Sequence, residues 1–145
     1  MVFESQMIFV NCSMAICPIS RPIHSAGISE LTAEEHCASA ANLSAATTVY
    51  TSTNEVANTG QYAAGGGVLT GQQTSLDTGV AIVDFNDLSF TGVTLTAAGA
   101  LIYNTSASNK AVCVLDFGGD KTATAGDFTI IFPTPDASNA IIRIA

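Results

Sequence analysis

The sequence is short of charge and nearly empty of bases. Of its 145 residues, 11% are Asp, Glu, Lys or Arg, against about a quarter in an ordinary soluble domain. The basic residues number four: Arg21, Lys110, Lys121 and Arg143. A row of phosphates needs a matching row of Lys and Arg, and an anionic bilayer surface needs the same. Neither nucleic acid nor membrane is therefore expected as a partner. Tryptophan is absent, and no apolar run reaches the roughly 18 residues of a membrane-crossing helix. Glu/Lys-rich heptads are missing, which excludes a coiled coil. The hydrophobic share of 48% excludes a charged disordered tail. The net charge of −8 is read as serving solubility.

Small, uncharged residues fill the chain instead. There are 22 alanines, 30 serines and threonines together, and 12 glycines. The length predicts one domain with a core of its own. Glycines and four prolines point to short strands joined by tight turns.

The chain divides near residue 46 into an N-terminal arm or extension (1–46) and a strand-rich domain (47–145). The arm holds Cys12, Cys17, Cys37, His24 and His36. Zinc needs closely paired ligands on two supports, and the spacing C-x4-C-x6-H-x11-H-C has no compact second pair. Incidental thiols are the expected reading, with a Cys12–Cys17 bridge left open for an oxidising compartment. The start carries Glu4 where a secretory signal would carry a base, and Asn11 and Ser13 interrupt the apolar stretch, so no targeting signal is read. Thr32 and Glu35 form a capping box, Glu34 and Glu35 fall in a first turn, and alanines follow. This pattern predicts a short helix near 33–41. Phe3, Met7, Ile8, Phe9 and Val10 are candidate partner-interface anchors; packing of these residues on the chain's own sheet is the equal alternative.

Beyond residue 46 the apolar period changes to two. Leu88 and Phe90 share one parity, Val93 and Leu95 the other, with Gly92 between them. A parity switch at a glycine predicts a bulge or bend. Further strand signals run over Ala100–Tyr103, Val112–Phe117, Phe128–Phe132 and Ile141–Ile144, each bounded by Gly, Pro, Asn, Asp or Ser. Cys113 alternates with Leu115 and Phe117 and reads as a small core residue. With no room for crossover helices, the expected fold is all-β: an antiparallel β-sandwich or jelly-roll-like barrel.

Chemistry is sought without success. Asp84 and Asp87 lack calcium-loop spacing, and Asp116, Asp120 and Asp127 accompany glycines as turn-forming residues do. Gly118-Gly119-Asp120-Lys121-Thr122 fails as a phosphate loop, because Leu115 and Asp120 stand where glycines are required. The histidines have no nucleophile or orienting acid in a recognisable context. Asn11, Asn42 and Asn104 head glycosylation tripeptides that a Ser/Thr-rich chain produces by chance. No catalytic residue, cofactor or metal is expected.

Several segments nevertheless resemble a small virion protein family of tailed bacteriophages. They are Thr47-Thr48-Val49-Tyr50, Thr53-Asn54-Glu55-Val56, the Tyr62–Gly67 turn, Gly99-Ala100-Leu101-Ile102-Tyr103-Asn104, Asn109-Lys110-Ala111-Val112, Leu115-Asp116-Phe117-Gly118, Gly126-Asp127-Phe128-Thr129-Ile130 and the ending from Phe132. The likeness covers about residues 43–145. Ahead of it the family opens with a strand pair, where this chain carries Cys37-Ala38-Ser39-Ala40-Ala41.

The resemblance implies a non-enzymatic virion structural protein. The leading expectation is a capsid cement or decoration protein on the capsid exterior, with the major capsid protein and itself, as dimer or trimer, for partners. A tail-associated component (tube, baseplate or fibre) is the alternative. A carbohydrate-binding module comes third, since its aromatic platform would have to come from Tyr50, Tyr62 and Tyr103.

Overall fold

A computed structural model describes residues 6–9, 33–38, 43–44 and 46–144. Among them the chain is all-β, with eight strands and one 3₁₀ turn. The strands are β1 (Gln6–Phe9), β2 (Ala33–Ala38), β3 (Gly67–Val68), β4 (Gln73–Asp77), β5 (Val80–Asp84), β6 (Leu88–Asn104), β7 (Lys110–Ile131) and β8 (Ile142–Ile144). They form a five-stranded sheet in the order β1-β7-β6-β2-β3 and a three-stranded sheet in the order β4-β5-β8.

The long antiparallel pair β6–β7 organises the molecule. Its connection is short: Thr105–Ala107 make a 3₁₀ turn whose N-cap, Asn104, accepts the Ser106 N–H, and Ser108 and Asn109 take positive φ. The segments that read as separate strands fuse here, because their boundary glycines bend the ladder without ending it. Between the pairs Phe90–Phe128 and Val93–Gly126, β6 carries one residue more than β7. The parity switch therefore falls at Gly92, whose φ is +63°. Farther along, Phe117 to Asp120 lie opposite Ala98 alone, between the pairs Gly99–Asp116 and Ala97–Lys121. Gly118 (φ +71°) and Gly119 (φ +134°) make that excursion, and the Asp116 carboxylate accepts the Gly118 N–H at 2.8 Å. The stretch that superficially resembles a phosphate loop is this bulge.

The apolar alternation of β6 turns Phe90, Val93, Leu95 and Ala97 inward while Thr91, Thr94 and Thr96 stay exposed. From Ala97 to Tyr103 every residue is buried, as suits a central strand covered on both faces. Glycine at 99 is dictated by contact: a β-carbon there would stand 2.6 Å from the Leu115 carbonyl oxygen. The core draws on both sheets. Val83 and Ile142 of the smaller sheet, with Phe85, Ile141 and Phe132 beside it, cluster with Phe90, Val93, Ile102, Leu115, Phe128 and Ile130. Cys113 is buried and unbridged, as the alternation predicts.

Two expectations are corrected. The segment 33–41 is not a helix: Ala33–Ala38 is strand β2, paired antiparallel with Asn104–Gly99 of β6, and residues 39–41 lie outside the described residues. Capping signals favour a helix locally, but nine residues are too few to hold one alone. Six ladder pairs along a buried central strand outweigh that weak preference. Second, the pairing is not uniformly antiparallel, since β1 runs parallel to β7. Among the described residues no helix is long and apolar enough to cross a membrane.

Candidate functional site

The most organised polar cluster lies where residues 50–65 fold against the end of β6. Glu55 is the sole carboxylate between Glu35 and Asp77. Its Oε2 accepts the Tyr50 hydroxyl at 2.8 Å. Its Oε1 accepts the Tyr62 hydroxyl at 3.0 Å and the Gly65 N–H at 2.6 Å. Gly65 sits at φ +98°, a conformation that glycine adopts without strain, and its carbonyl accepts the Tyr103 hydroxyl at 2.8 Å. Tyr50 stacks on Tyr103 with ring centroids 4.6 Å apart, while Tyr62 meets Phe90 edge-on at 5.0 Å. Hydrogen bonds to an ionised acceptor contribute about 1.5–3 kcal/mol each, so three on one half-buried carboxylate pin this irregular segment to the sheet. All three tyrosines of the chain belong to this pin.

The cluster sets hydroxyl and amide donors against carboxylate and carbonyl acceptors. Other carboxylates do similar work: Asp87 accepts the Phe132 N–H at 2.9 Å, and Asp77 accepts the Ala137 N–H at 2.7 Å. Asp136 accepts the Ser138 and Asn139 N–H groups, each at 2.7 Å. Its carboxyl is held below the ordinary value, chiefly by the Asn139 side chain and then by the Ser138 N–H. Among the described residues no group of three or more His, Cys, Asp or Glu could hold a metal ion.

Beside the pin lies a surface of a different kind. The solvent face of the β6–β7 hairpin carries Ser89, Thr91, Thr94 and Thr96 on one strand and Thr122, Thr124 and Thr129 on the other, with Asp127 as a charged member. Hydroxyls bond across the strands, Ser89 to Thr129 at 2.5 Å and Thr96 to Thr122 at 2.8 Å. Thr94 Oγ1 accepts the Ala125 N–H at 2.9 Å, and Thr59 Oγ1 accepts the Thr94 N–H at 2.9 Å. An open depression of about 530 Å³ adjoins this face, between Val56–Thr59 and Thr94–Thr96. Hydroxyls held in such a network present a surface with few charges.

Of the candidate anchors, Met7, Ile8 and Phe9 lie on β1, their backbone in register with Thr129, Ile130 and Ile131 of the chain's own β7. Phe3 and Val10 lie outside the described residues, as do Cys12, Cys17 and His24. His36 and Cys37 lie on β2 opposite Leu101 and Ala100. Glu55 belongs to no catalytic or ligand motif in the sequence. Its signal is isolation: one acid amid about forty uncharged residues, between two tyrosines.

Compared with protein-family models, curated proteins and solved structures, the chain matches none.

Proposed function

We propose that this chain is a non-enzymatic virion structural protein, most simply a capsid cement or decoration protein. It would bind the outside of the major capsid shell and stabilise it. The observation that carries the reading is the run of phage-like segments through residues 43–145. Four residues of those segments, Tyr50, Glu55, Tyr62 and Gly65, meet in one hydrogen-bonded pin, which gives the string a physical meaning. In this reading the two sheets form a jelly-roll-like sandwich.

The hydroxyl face of the hairpin supports a contact role, because interface cores are depleted of charge. A partner that binds only the assembled shell raises the shell's stability by mass action. The carbohydrate reading finds less support: Tyr62 and Tyr103 are 1% and 3% exposed, and Tyr50 is stacked on Tyr103.

The test is add-back. Purified protein is mixed with phage shells assembled without it, and their thermal and osmotic stability is recorded. A rise that saturates with protein concentration is the expected result; shells that neither bind it nor gain stability refute the reading. Copy number then places it, on the order of hundreds per virion for a decorated shell against about six or twelve for a tail ring.

A further inference from the structure

We infer that the outer edge of β4 pairs with the same edge of a second copy of this chain, joining two three-stranded sheets into one. The inference rests on the sheet edge alone and stands apart from the virion reading.

β4 ends its sheet, since the order is β4-β5-β8. The β4–β5 loop is the two residues Thr78 and Gly79, both at positive φ, so Asp77 and Val80 form the closing hydrogen-bonded pair. Antiparallel ladders alternate. Ser75 and Gln73 therefore bond inward to β5, whereas Thr74 and Leu76 direct their backbone N–H and C=O outward.

Natural edges are blunted by Lys, Pro, bulges or extreme shortness. β4 reads Gln-Thr-Ser-Leu-Asp and keeps unbroken register with β5 over five pairs. Leu76 on this edge is 73% exposed, and no described strand covers it.

The outward groups fix the register of a second copy. A two-fold axis at Ser75 sets Thr74 against Leu76 of the second copy and Leu76 against its Thr74. Each such pair exchanges two backbone hydrogen bonds. Gln73 then lies against Asp77, an amide against a carboxylate, and no like charges meet. Within one chain Leu76 pairs with Ala81, and Ala81 with Ile144, so the three form an apolar row across the sheet. Ile144 is 37% exposed. Across the axis the two Leu76 side chains become diagonal neighbours on one face, so each row meets its twin there, offset by two residues. Such a self-complementary contact closes as a dimer.

Sedimentation equilibrium on the full chain, over a concentration series, tests this with two variants. Leu76→Lys sets two like charges on the diagonal across the axis. Thr74→Pro removes an outward N–H and leaves the β4–β5 ladder intact. The wild type is expected in monomer–dimer equilibrium, with both variants dissociating at concentrations about tenfold higher or more. Circular dichroism and a cooperative melt of the dilute variants establish that they fold. A wild type monomeric at all concentrations overturns the inference, as does a dimer that both variants leave unchanged.

Discussion

Gly60 lies against the backbone of Gly92, so that a β-carbon on the first would collide with the carbonyl of the second. Both take positive φ, +52° and +63°. The irregular segment ahead of β3 thus closes onto β6 at the bulge where its alternation changes parity, and the Gln61 N–H bonds the Thr91 carbonyl at 3.1 Å beside it. Gly60→Ala is expected to destabilise the fold by about 2–4 kcal/mol, combining backbone strain with the collision. Gly79→Ala, with positive φ and open space around it, is expected to cost about 1 kcal/mol. Urea unfolding of both variants measures the difference; equal losses would show that the close approach is immaterial.

Glu55→Gln keeps the size of the side chain, removes its charge and turns an amide toward hydroxyls that need acceptors. A loss of about 2–3 kcal/mol is expected, against about 1 kcal/mol for Tyr62→Phe. In the double variant the losses should fall short of additive, because the two groups share one bond. Strict additivity in chemical denaturation would count against the pin.

Thr78 occupies the first position of the two-residue β4–β5 turn at φ +48°, where a β-branched residue is strained. Thr78→Asn supplies the residue that this turn type favours before glycine. A gain of about 0.5–1 kcal/mol is expected, read as a higher midpoint at unchanged m-value. A lower midpoint would contradict it.

Asp136 has its carboxyl lowered below 3.8, first by the Asn139 side chain. A depressed acid contributes stability that is fully present above its unfolded value and lost as pH falls through its folded one. Asp136→Asn should therefore melt below the wild type at neutral pH, with the gap closing below about pH 4. A gap that widened in acid would reverse the assignment.

Much of the fold is legible in the sequence because burial and alternation coincide. Cys113, Leu115 and Phe117 read as inward and are buried, and the switch at Gly92 reads as a bulge and is one. The length of β6 and β7 is less legible, since Gly118 and Gly126 look like strand ends when only a ladder on the neighbour shows that pairing continues. The Ala33–Ala38 strand is illegible for the opposite reason: its local signals are helical, and its partner lies some seventy residues away. The tyrosine pin escapes because it joins residues by a tertiary path, although the segments that hold it stand out as a string.

The β6–β7 hairpin also bears on how the chain folds. Its ends are tied by the five residues from Thr105 to Asn109, so closing it costs little chain entropy, and its pairs zip outward from Asn104 and Lys110. β8 must instead return to β5 across some sixty residues, joining Ile142 to Val83. Local contacts form ahead of distant ones. Truncating Leu101 should accordingly slow folding, while truncating Ile142 should chiefly hasten unfolding. The hairpin is then the template on which the smaller sheet is completed, and stopped-flow folding and unfolding rates for the two variants would reveal the reverse order if it held.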